Sequence, residues 1–402
     1  MSRLTPVAPR ERLVTLDVLR GFALCGVMIG NMLLYSGQWA DGPAPGATGL
    51  DEIADWFLTI FVRSKAQTLL TLLFGFGFAV QLLRAEERGQ PVMGLYVRRL
   101  VVLFAFGALH VGGLWWGDVT WTYAVSGFGL LLFLRASNRT RVVWALALVF
   151  LPNVVMAIPE LRTAAIPSFL EPPAFRVHTA RMGLALHRSD HAGLAWEHLR
   201  YAFMFCSRIW FWYFPWTLGR FLLGYVAGKR RWFDRDGGDH LPVFRRFAAW
   251  GGVVAVATTS LFVLQGPLHV VPRLHEHGAW GQLATATLHE ISLLALTLAY
   301  VGVVVLLMQR APWRRVLGVL APAGRMPLTT YFSQSLICTF IFYGWGLGWA
   351  GSVGIAGCLR LAVAIFIAQV ALCHVWLRFF RFGPLEWVWR TAVYLKPQPM
   401  RA

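Results

Sequence analysis

A histidine and a carboxylate in one apolar stretch are the clearest candidates for chemistry in this sequence. His110 lies among small residues between Gly107 and Gly117, and Asp118 follows it by eight residues. Two helical turns would place both side chains on roughly one face of a helix. Such a pair can act as a general base, because a neutral imidazole takes up a proton near neutral pH. The alternative interpretation is a hydrogen-bonded histidine in a helix core.

Charged residues also occur inside apolar stretches, where each costs about 2.5–3.5 kcal/mol to insert into lipid. An inner group comprises Asp17, Arg20 and Arg220. Asp17 and Arg20 can pair because they lie three residues apart on a helix. The pair either anchors its helix at the membrane surface or belongs to an anion-binding site, in which Arg20 grips the phosphate of a cytoplasmic donor.

A second, outer group of ionisable residues carries more positive charge. Its members are Arg63, Lys65, His110, Arg208, His289, Glu290 and Arg360. Glu290 is its one deep carboxylate, so we expect an anionic or polar ligand, or water, in a cavity beside these cations. The spacing of His187 and His191 is also compatible with zinc on a helix, but a solvated loop without a metal is the preferred interpretation.

Membrane-spanning helices must position these residues. Hydrophobic residues make up 57% of the 402-residue chain and charged residues 14%, against about 45–50% and about 25% in soluble domains. Apolar runs long enough to cross about 30 Å of hydrocarbon predict ten helices, at 16–35, 57–83, 97–115, 119–134, 142–158, 201–227, 247–265, 283–307, 328–347 and 354–377. The predicted fold is an all-α polytopic membrane helix bundle that forms a single integral membrane domain over residues 1–402.

The distribution of basic residues predicts the orientation. The formal net charge is +18, and alternate connections, beginning with the N-terminal tail, hold 25 Lys and Arg against six in the opposite set. Because Lys and Arg collect on cytoplasmic loops, both termini are predicted to be cytoplasmic and 159–200 to be the long external loop. The basic residues should contact anionic membrane lipids, and nucleic acid is not an expected partner.

Short motifs are spread over nearly the whole chain. They are Leu16-Asp-Val-Leu-Arg20-Gly, Leu73-Phe-Gly-Phe-Gly77, Trp116-Gly-Asp118, Gly219-Arg-Phe-Leu-Leu-Gly224, Gly324-Arg-Met326, Phe342-Tyr-Gly-Trp-Gly-Leu-Gly348 and Phe382-Gly-Pro-Leu-Glu-Trp387. Together they resemble the YeiB-like family of bacterial multi-pass membrane proteins, whose domain of unknown function would occupy 215–395. That family is similar to a wider superfamily of ten-helix transmembrane acyltransferases.

The resemblance implies a protein of the bacterial inner membrane that moves an acyl group from cytoplasmic acyl-CoA, its co-substrate, to an envelope glycan or lipid-linked sugar. The base and the groups that assist it would be His110, Asp118 and Asn31. The phosphates of the donor would bind Arg20, Arg220 and Arg325. The acceptor and the developing oxyanion would contact Lys65, Glu290, Arg360, Tyr331 and Gln334.

One position departs from the superfamily pattern. In the glycan-acetylating branch an Arg at the start of helix 1 is followed eleven residues later by a His, whereas Arg20 is followed at that distance by Asn31. Two other functions therefore stay open. The intramembrane cations could form the substrate site of a transporter or exporter of an anionic or amphipathic solute. The protein could also be a non-catalytic scaffold of the cell envelope.

Overall fold

The computed structural model describes residues 13–38, 48–87, 89, 93–166, 172–265 and 277–401. The N-terminal Arg3, Arg10 and Arg12, which contribute to the charge count, lie outside the described residues. Within these ranges the chain forms sixteen α-helices: α1 (Val14–Tyr35), α2 (Gly49–Phe57), α3 (Lys65–Glu87), α4 (Met93–Gly113), α5 (Thr120–Gly129), α6 (Asn138–Ala157), α7 (Pro159–Ala165), α8 (Pro172–Leu186), α9 (His191–Lys229), α10 (Leu241–Gln265), α11 (Gly278–Met308), α12 (Ala311–Gly318), α13 (Ala321–Arg325), α14 (Pro327–Phe342), α15 (Ile355–Phe379) and α16 (Pro384–Tyr394).

Each of the ten predicted spans coincides with a helix. Among the described residues, seven helical segments are long and apolar enough to cross a membrane: Val14–Tyr35, Gly49–Glu87, Met93–Gly113, Asn138–Ala157, Asp234–Leu264, Gly278–Met308 and Ile355–Phe379. The spans predicted at 119–134, 201–227 and 328–347 fall on α5 with its 3₁₀ extension, on α9 and on α14. The predicted all-α polytopic membrane bundle is therefore confirmed.

The start of α1 and the last helix lie at the same end of the bundle. Gly324 of α13 packs against the backbone oxygen of Asp17 in α1. Beside it, the side chain of Glu386 in α16 accepts a hydrogen bond of 2.6 Å from the backbone N–H of Leu328. We call this the basic end, because the connections richest in Lys and Arg meet there. Its assignment to the cytoplasm stays a prediction from charge.

The opposite end, called the far end below, gathers the other connections. The N–H of Gly351 donates to the backbone oxygen of Ser36, and the N–H of Gly344 donates to that of Leu186, each over 2.8 Å. Both bonds join the segment after α14 to neighbouring helices. An even number of passes between the two ends accounts for both described termini lying at the basic end.

The predicted external loop, 159–200, is largely helical. It contains α7, α8 and the first ten residues of α9, which continues without interruption to Lys229. Asp190 starts α9 by accepting a hydrogen bond of 2.9 Å from the N–H of Gly193. Arg188 donates to the same carboxylate and lowers its pKa, which keeps the cap ionised.

Two glycines allow α3 and α9 to cross with their backbones in contact. A Cβ added at Gly75 would lie 1.9 Å from the oxygen of Phe221, and one at Gly224 would lie 1.9 Å from the oxygen of Leu72. Small residues at helix crossings are typical of membrane bundles. The glycine motifs around these positions therefore serve helix packing.

Replacing Gly224 with alanine should destabilise the bundle by about 1–3 kcal/mol, because the added methyl group forces the two backbones apart. Gly77→Ala is the matched control, since a Cβ at Gly77 has no neighbour within 4 Å. Helix propensity alone predicts a gain of up to about 1 kcal/mol for that control. Thermal unfolding in detergent compares the two variants, and equal effects would contradict the crossing.

Candidate functional site

His110 and Asp118 form a buried pair at the far end of the bundle. Nδ1 of His110 lies 2.6 Å from Oδ2 of Asp118, and both side chains are fully enclosed. The other carboxylate oxygen accepts hydrogen bonds from the backbone N–H and the hydroxyl of Thr120, over 2.8 and 2.7 Å. The carboxylate thus holds the histidine and the start of α5 together.

The contact arises differently from the sequence-based expectation. Helix α4 ends at Gly113, so Asp118 does not share a helix face with His110. The chain turns through Trp115 and Trp116, which are both buried, and Asp118 then approaches His110 from the start of the next helix. The predicted partner was right and the predicted geometry was wrong.

The second nitrogen of His110 is available for chemistry. Nε2 is buried and has no hydrogen-bond partner among the described residues. The ring stacks on Phe332, with centroids 4.2 Å apart, and lies 5.3 Å from the ring of Tyr331. When Nδ1 donates its hydrogen to Asp118, Nε2 carries the lone pair. A base of this kind is oriented by its carboxylate and sheltered from bulk water.

Of the residues predicted to assist His110, Tyr331 lies beside it and the two amides do not. Gln334 is buried, and its Nε2 donates to Leu24 O over 3.4 Å and to Gln369 Oε1 over 3.3 Å. It therefore links α1, α14 and α15. Asn31 is half-buried on α1, and no hydrogen bond between described residues joins it to His110.

Arg220 and Glu290 form a second buried pair. Nη2 of Arg220 lies 2.6 Å from Oε2 of Glu290, and the other carboxylate oxygen accepts a hydrogen bond of 2.9 Å from Nε1 of Trp216. The guanidinium also lies over the Trp216 ring, 3.2 Å from its centroid. Arg220, which was predicted to join Arg20 in a phosphate site, is fully buried against a carboxylate on α11. Its part in donor binding stays a prediction.

The predicted surplus of outer cations is also corrected. Nη2 of Arg63 pairs with Oδ1 of Asp55 over 2.5 Å, and Arg360 is exposed on the surface of α15. Lys65 is buried, and its ammonium donates to the backbone oxygen of Thr59 over 2.6 Å. Counting charges along the sequence left out these pairings, because the partners come from other turns and helices.

A cavity of about 290 Å³ lies beside the Arg220–Glu290 pair. Glu290 lines it together with Arg208, Asn153 and mainly apolar side chains of α6, α9 and α11. Nδ2 of Asn153 is buried and has no hydrogen-bond partner among the described residues. Over all the residues that the structure describes, no group of three or more His, Cys, Asp or Glu residues could hold a metal ion.

The basic end contains Arg99, an arginine outside the predicted site. Arg20 pairs with Asp17 over 3.1 Å, as predicted, and its side chain stays 30% exposed. Arg99 lies close enough to Arg20 and Arg390 to interact with their charges, and its guanidinium is 4.3 Å from the centroid of the Trp389 ring. Among the described residues it has no carboxylate partner.

Arg325 completes this side of the bundle. It follows Gly324, which packs on the backbone of Asp17 and Gly21, so the chain segments that carry Arg325 and Arg20 adjoin. Arg99 was not among the residues predicted for this end. One signal could have found it: Arg99 and His110 are eleven residues apart on α4, which is three turns, so they share a face.

Comparison with known proteins places the chain in a family. Residues 227–396 match the family described as "Protein of unknown function (DUF418)". Over its whole length the chain is 31% identical to the uncharacterised protein YxaH of Bacillus subtilis (strain 168), 98% of which is covered. The chain belongs to this family, which is the YeiB-like family.

Two further relatives extend the likeness. The chain is 27% identical to an uncharacterised 39.9 kDa protein in the amylase 3' region of Bacillus acidopullulyticus, with 98% of the chain and 97% of that protein covered. It is 26% identical to the uncharacterised protein YeiB of Escherichia coli (strain K12), with coverage of 94% and 96%. No solved structure matches. The likeness to these YeiB-like proteins thus includes the N-terminal half that carries His110 and Asp118.

Proposed function

We propose that the protein is a membrane acyltransferase that moves an acyl group from cytoplasmic acyl-CoA to a hydroxyl or amine of an envelope glycan or lipid-linked sugar. The observation that carries this proposal is the His110–Asp118 pair, whose Nε2 is buried and without a partner among the described residues. A base placed at the far end suits an acceptor that arrives from outside the cell.

Acyl transfer begins with proton removal from the acceptor. The acceptor hydroxyl gives its proton to Nε2 of His110 while its oxygen forms a bond to the carbonyl carbon of the thioester. The carbon–sulfur bond then breaks, and the imidazolium returns the proton to the departing thiolate. Asp118 stabilises the imidazolium through Nδ1. The oxyanion would accept a hydrogen bond from the hydroxyl of Tyr331, whose ring lies 5.3 Å from that of His110.

The basic end supports the donor side of this proposal. Arg20, Arg99 and Arg325 offer guanidinium groups to the phosphates of coenzyme A, because the planar fork of Arg matches phosphate oxygens. Eleven residues of α-helix between Arg99 and His110 span about 16 Å. The extended pantetheine arm of coenzyme A has a comparable length, so it could carry the thioester from one site to the other.

The direct test supplies purified protein in liposomes with radiolabelled acetyl-CoA on one side and envelope glycans or lipids on the other. We expect label to appear in an acceptor fraction. Absence of label from every fraction, together with no binding of coenzyme A, would contradict the proposal.

Replacing Arg99 with glutamine should weaken the binding of coenzyme A. A hydrogen bond to a charged group contributes about 1.5–3 kcal/mol, so the Kd should rise about 10- to 100-fold. Binding of labelled coenzyme A to the detergent-solubilised protein measures this. Arg139→Gln is the matched control, because Arg139 is an exposed arginine at the start of α6. An equal loss in both variants would show that overall charge, and no specific site, sets the affinity.

A second candidate is a transporter of an anionic or amphipathic solute. The cavity beside Glu290 favours it, because Arg208 and Asn153 there adjoin apolar side chains. Exchange of a labelled anionic solute across proteoliposomes that contain no acyl-CoA would support this function. Acyl transfer without solute exchange would exclude it.

A further inference from the structure

We propose that His198 is a second histidine of the acyl-transfer site and that it binds the acceptor hydroxyl as a neutral hydrogen-bonding group. The inference rests on the proposed function of His110. His198 lies on α9 and is 1% exposed. The segment that carries His110 packs beside it, since a Cβ at Gly112 would lie 3.7 Å from the side chain of Leu199 and the rings of Trp116 and Tyr201 are 4.7 Å apart. Neither of its ring nitrogens has a hydrogen-bond partner among the described residues.

A histidine with two unpaired nitrogens is costly to bury. More than about 90% of buried polar groups in native proteins are hydrogen-bonded, and each unpaired group costs about 1–3 kcal/mol. A neutral imidazole presents one N–H donor and one lone pair. A hydroxyl group satisfies either nitrogen, since it both donates and accepts. An apolar side chain of similar size would fill this place at lower cost if His198 served only to pack helices.

Two buried polar atoms, one beside each histidine, indicate the class of ligand. The ring of Tyr343 lies 5.7 Å from that of His198, and its hydroxyl is buried without a hydrogen-bond partner among the described residues. In the turn that follows His110, Nε1 of Trp115 is also buried without such a partner, and the Trp115 ring lies tilted against that of Tyr35, with centroids 4.2 Å apart. Aromatic faces with donor groups at their edges suit a polyhydroxyl compound such as a sugar, which has many lone pairs and an apolar ring face.

Because the two histidines lie close together, only one of them should carry a positive charge. His110 becomes positively charged when it takes the acceptor proton, and its charge is balanced by Asp118. His198 has no carboxylate partner among the described residues, and a second buried positive charge beside the first would be expensive. His198 therefore stays neutral and positions the hydroxyl, while His110 removes the proton.

Two variants test this assignment. His198→Phe removes both unpaired nitrogens, so its unfolding temperature in detergent should equal or exceed that of the wild type, while acyl transfer falls about 10- to 100-fold. His198→Gln keeps a donor and an acceptor and should restore part of the transfer. His191→Phe, seven residues earlier on the same helix and exposed, is the matched control and should leave both quantities unchanged.

Glucose, as a simple polyhydroxyl probe, makes the test independent of acyl transfer. Saturating glucose should raise the unfolding temperature of the wild type and leave that of His198→Phe unchanged. If glucose acts this way and no acyl transfer occurs, the binding role stands and the acyltransferase proposal fails. A large loss of stability in His198→Phe, or a stable variant that transfers or responds to glucose like the wild type, would overturn the role of His198.

Discussion

Replacing His110 with glutamine should lower acyl transfer by about 10²–10⁴-fold, the contribution of a positioned general base. Glutamine is close to histidine in size, and its amide can donate to Asp118, so the packing of α4 against α14 should survive. An amide cannot take up a proton at neutral pH, so the acceptor hydroxyl would keep its proton and stay a weak nucleophile. The initial rate of label transfer from acetyl-CoA in liposomes measures this effect.

Two further measurements make the His110 result specific. His374→Gln is the control, because His374 is exposed on α15. Its Nε2 is hydrogen-bonded to the backbone oxygen of Val319 over 3.0 Å. It should transfer label at the wild-type rate. Coenzyme A should bind His110→Gln with unchanged Kd, since the proposed phosphate site lies at the other end of the bundle. Full transfer by a folded His110→Gln protein would exclude His110 as the base.

The membrane fold could be predicted from the sequence because its cause is local. Each run of about twenty apolar residues specifies a helix by itself, since every backbone group must be bonded within the segment in lipid. The ten runs accordingly coincide with helices. Boundaries were less predictable where a helix continues past the apolar run, as α9 does from His191 to Lys229.

The polar site was predictable only where the partners are near in sequence. His110 and Asp118 are eight residues apart, and the short turn between α4 and α5 keeps their side chains close together. Arg220 and Glu290 are separated by 70 residues, and the sequence assigned Arg220 to the inner group of charges and Glu290 to the outer group. Their meeting depends on how α9 and α11 pack, which no local pattern in the sequence specifies.

Motifs that resemble a family do not separate structural from catalytic residues. Glu386, in the C-terminal motif, accepts hydrogen bonds from the backbone N–H groups of Leu328 and Thr329 and from the Thr329 hydroxyl. A Cβ at Gly383 would lie 2.2 Å from that carboxylate. The hydrogen bonds of this motif hold α16 against the first turn of α14. The spacing of Gly383 and Glu386 in the motif is therefore explained by this helix contact.

Replacing Glu290 with leucine should destabilise the protein by about 3–5 kcal/mol, because Arg220 would keep a buried charge without its carboxylate. Trp216 would lose the acceptor of its indole N–H at the same time. Thermal unfolding in detergent measures the loss. The double variant Arg220→Met with Glu290→Leu removes both charges and should recover most of the stability, since apolar groups of similar volume replace buried ion pairs well.

The double variant also separates structure from donor binding. Arg220 was first predicted to bind phosphate, yet its guanidinium is fully enclosed by Glu290 and Trp216. If Arg220 is structural, the double variant should bind coenzyme A with the wild-type Kd, whereas Arg99→Gln should lose affinity. A double variant that regains stability but loses coenzyme A would return Arg220 to the donor site. It would also imply that the ion pair opens when the donor binds, because a guanidinium held by Glu290 cannot grip a phosphate at the basic end.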